Sequence, residues 1–422
     1  MHPFRMLATA LPVFLLASSA LGETEVKLIQ VGKKERTCTL ETIGKDGSLR
    51  VQAGGKTENV PAGSVVEVLF KRGEFPASPE QARLLLHNGD RLVGTVRGGT
   101  EGGGGFLFED SALGSLVFED FGSVRWVLFP GTEEPPALPG GDEDADVVFR
   151  GEEGSVSGSL KAFGQHALSL ERPDLDLTIE VPYRGARAVY IAPLWEPESS
   201  TDLCAVLTLT NGDILTGTVR GGGEGSVVVT LPGGLKARVP LSRLVSLGVR
   251  NGDFVYLSDL EPVRITENPW AFDPPVTHEA PFEGKAVYNF RRDRSYTGGP
   301  LRINGRTYLK GVGSHSWTEI EYDLDGAYER FEARVGIDDS AGPGKGSVIF
   351  RVRLDGEEVF TSPVMVGGKD PVPVRVDVSA GKKLVLVVDY THELLTVKDG
   401  REEDHVLDRA DWALARLVKK SE

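Results

Sequence analysis

One segment of this sequence occurs twice, and no other feature constrains the fold as strongly. Residues 84–99 read LLLHNGDRLVGTVRGG and residues 207–222 read LTLTNGDILTGTVRGG, so twelve of the sixteen positions are identical at an offset of 123 residues. Agreement of this extent indicates an internal duplication. In both copies an Asn-Gly-Asp sequence separates two apolar runs, and Asn-Gly is a strong signal for a tight β-hairpin. The duplicated part is therefore predicted to consist of short antiparallel strands.

Two fainter copies accompany the strong ones. A Val-Pro step, followed by a short turn and an apolar run, ends three of the units, at Val60-Pro61, Val181-Pro182 and Val239-Pro240. Small units of this kind resemble SH3-like or Sm-like β-barrels. Because so small a unit buries little of its surface, each is expected to pack against a neighbour. We predict four barrel-like β units of about five strands each, arranged as two tandem pairs, at residues 30–75, 80–130, 146–193 and 203–250.

Proline-rich and acidic segments separate these units. Residues 131–145 contain three prolines and an acidic run, which is typical of a linker. This linker divides the repeat region into a first pair of units at residues 30–130 and a second pair at residues 146–250.

The first 22 residues have the features of a secretory signal peptide. Arg5 precedes an apolar run at residues 6–16, and small residues follow before a predicted cleavage near Ala20 or Gly22. The run is too short for a stable membrane span, and no later stretch is long and apolar enough for one. The protein is therefore predicted to be exported, either secreted or periplasmic, with no membrane span.

Charge and motifs exclude several classes of function. The net charge is −15 and no cluster of lysine and arginine occurs, which argues against nucleic acid as a partner because phosphate binding needs a basic face. The sequence has no nucleophile elbow, no His-Glu-x-x-His zinc motif and no phosphate-binding loop. We predict that the protein is not an enzyme.

The chain has two cysteines, Cys38 and Cys204. In an oxidising compartment they could form a disulfide, and the alternative is two separate buried thiols. The sequence leaves both interpretations open.

Residues 254–422 have a different pattern. Runs of β-forming residues recur there, among them residues 331–337, 348–354 and 384–390, and Asp-Gly turns follow some of them. No amphipathic helix is found. Many antiparallel strands joined by tight turns predict a β-sandwich of the jelly-roll type. The whole chain is thus predicted to be all-β.

Ordered segments of this last part resemble one known family. KGVGSH at residues 310–315 resembles its Lys-Gly-x-Gly-x-His signature, and DWALARL at residues 411–417 resembles its closing strand. The other matching segments are YLSDLE at 256–261, RDRSYTGGPLRINGRTY at 292–308, FEARVGIDD at 331–339 and VIFRVRLDG at 348–356. The family is NPCBM, a carbohydrate-binding module also found beside family 98 glycoside hydrolases, and the resemblance covers residues 254–418. In the family an acidic-histidine pair directly precedes the final Asp-Trp, whereas here Asp404-His405 is separated from Asp411-Trp412.

The resemblance implies a galactose-binding-like jelly roll with a sugar site in loops at one end. Sugar sites combine an aromatic ring, on which the apolar face of a pyranose stacks, with side chains that hydrogen-bond hydroxyl groups. The candidate carbohydrate-binding residues are His315, Trp317, Trp270, Arg292 and Arg294.

Each candidate also has a structural interpretation. His315 could bond a carbonyl of its own loop, and Trp317 could point into the core. Arg292 and Arg294 could belong to a surface salt-bridge cluster. Trp412, in the closing strand, is expected in the core.

Asp338 and Asp339 precede a glycine-rich loop at residues 340–347. Carboxylates beside free carbonyl groups could bind a structural calcium ion, and the alternative is a solvated turn. No other cofactor is predicted.

Together these observations predict an exported, non-catalytic protein that binds a glycan or polysaccharide through the loops of a C-terminal sandwich. The repeats would serve as a stalk or docking platform, with a protein partner as a further expectation. The alternative is a structural or protein-protein interaction protein whose sandwich no longer binds sugar, which the altered segment before Trp412 favours. A glycosidase with an unrecognised site is a third interpretation.

Overall fold

The computed structural model describes most of the chain. The described residues are 24–71, 80–100, 104–139, 144–151, 154–172, 174–193, 202–223, 225–231, 236–268, 275–282, 287, 289–391 and 407–420. The predicted signal peptide and Trp270 lie outside them. The chain divides into two compact units, Met1–Gly252 and Asp253–Glu422, each of which is described by itself. Within the described ranges, no helix is long and apolar enough to cross a membrane.

The described part of the N-terminal unit contains four segments of five strands, here named repeats 1 to 4. Repeat 1 contains β1 (Thr24–Gln30), β2 (Arg36–Ile43), β3 (Leu49–Ala53), β4 (Lys56–Val60) and β5 (Val65–Phe70). Repeat 2 contains β6 (Ala82–Leu86), β7 (Arg91–Gly99), β8 (Phe106–Asp110), β9 (Gly114–Phe118) and β10 (Val124–Leu128). Repeat 3 contains β11 (Asp146–Arg150), β12 (Gly154–Phe163), β13 (Ala167–Arg172), β14 (Leu177–Pro182) and β15 (Ala186–Tyr190). Repeat 4 contains β16 (Cys204–Leu209), β17 (Ile214–Gly223), β18 (Ser226–Thr230), β19 (Lys236–Pro240) and β20 (Leu244–Arg250).

Each repeat is an antiparallel meander whose last strand pairs with its first. β5 pairs with β1, β10 with β6, β15 with β11 and β20 with β16. The Val-Pro steps stand where the fourth strand ends and a short 3-10 turn leads into the fifth. Pro61, Pro182 and Pro240 have φ angles of −59°, −59° and −63° there, the range that the pyrrolidine ring imposes.

Strand pairing also joins different repeats, and in an order that differs from the predicted tandem pairs. β5 of repeat 1 pairs with β20 of repeat 4, and β10 of repeat 2 pairs with β15 of repeat 3. The sequence predicted that the units at residues 30–130 form one pair and those at residues 146–250 another. An edge strand exposes unpaired backbone groups, and the observed pairings satisfy the fifth strand of every repeat. The twenty strands therefore belong to one hydrogen-bonded sheet.

One hydrophobic core runs through all four repeats. It includes the fully buried residues Leu40, Leu92, Leu168 and Leu215, one from each repeat. Leu92 and Leu215 are equivalent positions of the duplicated segment. Burying a leucine side chain contributes about 1.5–3 kcal/mol. An isolated unit of this size would be only marginally stable, and the shared core makes the four repeats more stable together.

Both cysteines of the N-terminal unit are free thiols. Cys38 lies buried in β2, and Cys204 lies half-buried at the start of β16. Burial raises the pKa of both thiols, which keeps them protonated and lowers their reactivity. Of the two interpretations that the sequence left open, the structure contains separate thiols.

The C-terminal unit is a sandwich of two antiparallel sheets. The first sheet contains β21 (Phe254–Tyr256), β24 (Arg291–Arg292), β27 (Gly311–His315), β29 (Tyr328–Ile337), β33 (Val372–Asp377) and β35 (Arg409–Lys419). The second contains β22 (Arg264–Glu267), β23 (Val276–Glu279), β28 (Thr318–Asp323), β30 (Ser347–Leu354), β31 (Glu357–Thr361), β32 (Met365–Val366) and β34 (Lys383–Tyr390). A separate hairpin consists of β25 (Leu301–Ile303) and β26 (Arg306–Tyr308).

Side chains from both sheets form the core of the sandwich. Trp412 of the first sheet is fully buried. Its ring lies 5.0 Å from the ring of Phe350 in the second sheet, at an angle of 89°, and 6.2 Å from that of Phe331. The expectation that Trp412 is a core residue is confirmed, as is the predicted all-β fold with a C-terminal β-sandwich.

Candidate functional site

Loops from both sheets meet at one end of the sandwich. β27 ends at His315, and after two intervening residues β28 begins at Thr318 in the opposite sheet. Thr318 pairs with Glu267 and Val388, which lie at the ends of β22 and β34. The described residues at this end, called the loop end below, are Asn268, 315–317, 338–347, 391 and 407–408.

The Gly-x-Gly signature places β27 against a neighbouring segment of backbone. A Cβ atom on Gly313 would lie 2.2 Å from the carbonyl oxygen of Arg294, a distance that no side chain tolerates. Gly311 has a φ angle of 151° and equally little space, because a Cβ would lie 2.5 Å from the Trp412 carbonyl oxygen. Both glycines are therefore required for close packing of the strands.

Lys310, the first residue of the signature, is a buried structural cation. Its ammonium nitrogen lies 2.5 Å from a carboxylate oxygen of Asp259 and 2.6 Å from one of Asp293. The Asp293 side chain also accepts a hydrogen bond of 3.0 Å from the Gly311 N–H. The signature thus holds β27 in place, and Lys310 is not available to a ligand.

His315 is buried and fixed by its own loop. It is 4% exposed. Its Nδ1 lies 2.6 Å from the Ser316 carbonyl oxygen, and its ring packs on Tyr296 with centroids 4.7 Å apart. Thr318 donates a hydrogen bond of 2.7 Å to the His315 carbonyl. These contacts agree with the structural interpretation of His315, in which the side chain bonds a carbonyl of its own loop.

Trp317 is half-buried at the loop end, and its backbone is fixed. The Ser316–Trp317 peptide bond is cis. The Asn268 N–H donates a hydrogen bond of 2.9 Å to the Trp317 carbonyl, and the Tyr390 hydroxyl donates one of 3.0 Å to the Asn268 carbonyl. Trp317 is therefore a partly exposed residue in a firmly held loop. Trp270, the other exposed-loop candidate, lies outside the described residues.

Asp408 ties three segments of the loop end together, and the sequence did not single it out. It is 4% exposed. One carboxylate oxygen accepts a hydrogen bond of 2.8 Å from the Ser316 hydroxyl, and the other accepts one of 2.7 Å from the Ser347 N–H. The altered segment around Asp404-His405 lies outside the described residues. An acidic residue shortly before β35 was the available signal.

The two arginine candidates do not join His315 and Trp317. Arg292 lies opposite Val312 in the register of β24 and β27 and forms an ion pair of 2.5 Å with Glu261. Arg294 donates a hydrogen bond of 2.9 Å to the Gly298 carbonyl. Both side chains are exposed, and both hold their own surface segment.

Asp338 and Asp339 bind backbone groups. Asp338 accepts hydrogen bonds of 3.0 Å from the N–H groups of Ser340 and Arg302. Asp339 accepts one of 2.8 Å from the Gly305 N–H. In the part of the chain that the structure describes, no group of three histidine, cysteine, aspartate or glutamate side chains is suited to hold a metal ion. The calcium ion stays a prediction.

A second buried polar group lies beside the loop end. Glu267 is fully buried, and its Oε1 lies 3.2 Å from Nε2 of His278, which is 7% exposed. Its Oε2 accepts a hydrogen bond of 2.9 Å from the N–H of the fully buried Asn289. This group holds β22, β23 and residue 289 together. Sequence reasoning missed it because its members are distant along the chain and match no motif.

Comparison with known families agrees with this architecture. Residues 255–418 match the family model of the NPCBM/NEW2 domain. The match extends from β21 to β35 and contains the signature at Lys310. An NPCBM/NEW2 domain is therefore found in the C-terminal unit, which confirms the resemblance predicted from the sequence. The domain coincides with the two-sheet sandwich of this unit.

Two curated relatives are much longer than this chain. A protein of Renibacterium salmoninarum named "Putative endo-alpha-N-acetylgalactosaminidase" is 26% identical over 313 residues, which are 71% of this chain and 18% of that protein. A protein of Akkermansia muciniphila named "Alpha-1,3-galactosidase B" is 32% identical over 124 residues, which are 29% of this chain and 14% of that protein. The chain thus spans less than a fifth of the length of either relative.

Solved structures with similarity to this chain include two from Clostridium perfringens. One is the CBM51 from GH95 in complex with methyl-galactose, which is 28% identical, covers 39% of this chain and 99% of its own, and has a TM-score of 0.30. The other contains CBM51-2 in complex with GlcNAc and INT domains from ZmpB. It is 28% identical, covers 46% of this chain and 36% of its own, and has a TM-score of 0.31.

Proposed function

We propose that the protein is an exported, non-catalytic glycan-binding protein whose site lies at the loop end of the C-terminal sandwich. Trp317 is the observation that carries the proposal, because this aromatic residue is only half-buried while its backbone is held. The C–H face of a pyranose stacks on such a ring. A loop whose backbone is already held before binding loses little conformational entropy when the sugar arrives.

Hydroxyl groups at the same end supply the polar half of the interaction. The Ser347 and Thr391 hydroxyls lie 2.7 Å apart at the loop end, and both residues are half-buried. A hydroxyl both donates and accepts, so it matches the mixed hydrogen-bonding capacity of a sugar. Binding would combine stacking on Trp317 with a few such bonds, and a single small site of this kind supports modest affinity.

Galactose and N-acetylgalactosamine are the proposed sugars. The names of the two curated relatives refer to enzymes that act on these sugars. The proposal is limited to recognition of the sugar.

The test is titration calorimetry of the full chain with galactose, N-acetylgalactosamine and N-acetylglucosamine, preceded by a glycan array. Trp317→Ala removes the stacking surface, and we expect the affinity to fall at least tenfold, which corresponds to about 1.4 kcal/mol. Val359→Ala is the matched control, because Val359 is an exposed apolar residue of β31 in the same unit, 44% exposed and outside the loop end. The control should bind as the unchanged protein does.

Absence of binding to every glycan, with a folded C-terminal unit shown by circular dichroism, would contradict the proposal. Equal loss of affinity in both variants would also count against it, because Val359 would then act through the fold.

A protein-protein interaction role is the second candidate. It is favoured by the contacts of His315 and Arg292, since the first is tied to the Ser316 carbonyl and the second to Glu261. Both polar side chains are therefore engaged within the protein. In that case we expect no binding on the glycan array. A protein partner should then bind the Trp317→Ala variant as well as it binds the unchanged chain.

Catalysis is not part of the proposal, although both curated relatives have the names of glycosidases. Glycoside hydrolysis uses two carboxyl groups placed on either side of the bond to be cleaved. At the loop end, the carboxylates of Asp338 and Asp408 accept hydrogen bonds from the protein itself. Hydrolysis of an aryl galactoside by the purified chain, lost on Asp338→Asn, would overturn this part.

Export and the role of the repeats complete the proposal. Cell fractionation with a tag after residue 422 tests whether residues 1–22 direct export, and N-terminal sequencing of the mature chain locates the cleavage. The four repeats share one core, so we propose that they act as a single docking platform for a protein partner. A pull-down with the full chain, carried out in excess free sugar so that the C-terminal unit is occupied, would test this.

A further inference from the structure

The two copies of the duplicated segment meet inside the N-terminal unit. Arg91 of β7 pairs with Ile214 of β17, two positions that are equivalent across the duplication. The Arg91 side chain also donates a hydrogen bond of 2.8 Å from Nε to the Gly212 carbonyl. The two Asn-Gly-Asp turns, expected from the sequence to be simple hairpin turns, therefore form a junction between repeats 2 and 4.

At this junction each copy binds the backbone of the other. Asp213 of repeat 4 accepts a hydrogen bond of 2.8 Å from the Val93 N–H of repeat 2. Asp90 of repeat 2 accepts one of 2.7 Å from the Thr216 N–H of repeat 4. Asp90 is equivalent to Asp213, and Val93 is equivalent to Thr216, at the same offset of 123 residues. The exchange is reciprocal, and both aspartates are buried, at 1% and 0% exposed.

One half of the junction contains an additional carboxyl group. Asp110, at the end of β8, is 2% exposed and pairs with Gly94, the neighbour of Val93, whose N–H binds Asp213. The Asn211 amide, from the same turn as Asp213, donates a hydrogen bond of 3.1 Å to the hydroxyl of Ser111, which follows Asp110. Glu109 pairs with Thr95, and Thr230 pairs with the equivalent Thr218, so the residue equivalent to Asp110 is Leu231 and the other half of the junction has no carboxyl group at this position. The symmetry of the duplication is thus broken at Asp110.

The hydrogen bonds of the pair leave a place for a proton. Asp110 Oδ1 accepts bonds of 2.7 and 2.9 Å from the N–H groups of Ala112 and Leu113. Its buried Oδ2 has no donor in contact. One oxygen of Asp213 accepts from Val93, and the other accepts a bond of 2.8 Å from the Asn211 amide. Two buried carboxylates that face each other cannot both be charged without a large penalty.

The other charged groups of the junction act elsewhere. Burial raises the pKa of Asp90, the Arg250 charge opposes this shift, and Arg91 directs its Nε to the Gly212 carbonyl. His87 is half-buried, and burial together with Arg125 lowers its pKa, so it is neutral at neutral pH. Burial and then the Asp110 charge raise the pKa of Asp213 to about 8, and burial raises that of Asp110. The pair titrates as one unit.

We propose that Asp110 and Asp213 share a proton that locks repeat 2 to repeat 4, so that the junction is a pH-sensitive clasp within the N-terminal unit. The proton lies between Asp110 Oδ2 and the Asp213 carboxyl group, where it turns a repulsive contact into a hydrogen bond. The clasp is strongest in acid and weakens as the pH rises. Asp90, which has Arg250 nearby and no second carboxyl, forms the half of the junction that does not depend on this proton.

The direction of the pH dependence follows from linkage. The folded pair holds its proton up to a pH of about 8, whereas an unfolded aspartate releases it near a pH of about 4. Between a pH of about 4 and a pH of about 8, opening of the junction therefore releases a proton. The equilibrium constant for opening rises by up to about tenfold per pH unit in this range. Above the folded pKa the dependence disappears.

The test is hydrogen exchange of the full chain between pH 5 and 9, with protection factors read at the Val93 and Thr216 amides. In the unchanged protein we expect the protection of Val93 to fall by up to about tenfold per pH unit up to a pH of about 8 and then level off. Asp110→Asn places a permanent N–H donor at the position of the shared proton, so this variant should keep the protection of Val93 nearly constant. Asp90→Asn is the matched control and should leave the slope at Val93 unchanged.

A second measurement keeps the proposal testable if Asp110→Asn folds poorly. A protonated carboxyl has its own infrared C=O band, which should be present in the full chain at pH 6, decline near pH 8 and be weaker in Asp213→Asn. A slope at Val93 that persists in Asp110→Asn, or no titrating band at pH 6 to 8, would overturn the proposal. Protection of Val93 that requires added calcium would overturn it as well, because a cation would then occupy the place of the proton.

Discussion

Each unit of the protein buries a pair of carboxyl groups, but the two pairs join different kinds of structure. Asp110 and Asp213 come from repeats 2 and 4, and Asp213 accepts a hydrogen bond from the Val93 N–H of the opposite repeat. Asp338 directly follows β29 and Asp411 lies in β35, and these two strands are neighbours in one sheet. Both accept hydrogen bonds from one N–H, that of Arg302, at 3.0 and 3.2 Å.

The difference shows how the two units are held together. In the repeats, the bonded N–H belongs to the other copy of the duplication, so the carboxyl pair is a link between repeats. In the sandwich, the bonded N–H belongs to the β25–β26 hairpin, so the pair attaches a hairpin to a sheet that already has its own core. Loss of the first pair should separate parts of the fold, whereas loss of the second should loosen one edge.

The largest effect is expected where the sandwich buries full charges instead of a shared proton. Glu332 is 2% exposed and forms a buried ion pair with Arg416, which is 5% exposed. Glu332→Ala leaves the Arg416 guanidinium buried without this partner, so we expect the C-terminal unit to lose about 3–5 kcal/mol. Chemical unfolding of the full chain, followed by hydrogen-exchange mass spectrometry, reads the two units separately.

Two controls sharpen this prediction. The peptides of residues 24–250 should keep their stability, since Glu332 lies in the other unit. Glu332→Leu combined with Arg416→Met removes both charges and should recover most of the loss. If the double variant is as unstable as Glu332→Ala, packing and not charge explains the effect.

The next effect concerns the carboxyl pair of the sandwich. Burial, and then the charge of Asp338, raise the pKa of Asp411 well above its usual range. A carboxyl with a raised folded pKa contributes stability in acid that is lost as the pH rises. In the unchanged protein, the stability of the C-terminal unit should therefore decline above a pH of about 4.

Asp411→Asn is the variant that isolates this dependence. An asparagine is neutral at every pH and can donate to Asp338, so we expect the decline to flatten and the stability near pH 5 to change by about 1 kcal/mol or less. Urea unfolding of the full chain at pH 5 and pH 8, read at peptides 290–420, provides the measurement. An unchanged pH slope in the variant would assign the dependence to other groups.

The fold was largely predictable because its signals are local. The Asn-Gly-Asp turns, the Val-Pro steps and the Asp-Gly turns each act within a few residues, and they marked the strands of both units. The order of the repeats was not predictable, because the pairings of β5 with β20 and of β10 with β15 depend on tertiary structure. No local sequence pattern predicts which edge strand of one repeat pairs with which edge strand of another.

The same distinction between local signals and tertiary contacts applies to the candidate site. The signature at Lys310 and the closing Asp411-Trp412 identified the module, because they are needed for its packing wherever the module occurs. That same role explains why they say little about ligands, since Lys310 is buried between two carboxylates and Trp412 lies in the core. Asp408, Tyr296 and Asn289 act through contacts across the fold, and their spacing along the chain matches no motif that would have grouped them.

The smallest effect is expected from the two cysteines, and it tests whether repeats 1 and 4 need a covalent link. Cys38 and Cys204 are free thiols, and strand pairing between β5 and β20 already joins their repeats. A reductant should therefore change the stability of the N-terminal unit by less than about 0.5 kcal/mol. A disulfide closing so long a loop would contribute about 2–4 kcal/mol, so unfolding with and without reductant, together with the mass of the unreduced peptides, separates the two cases. A large loss of stability on reduction would mean that the repeats depend on a disulfide. The repeat region would then be held by a covalent link in addition to the shared proton, unlike the sandwich.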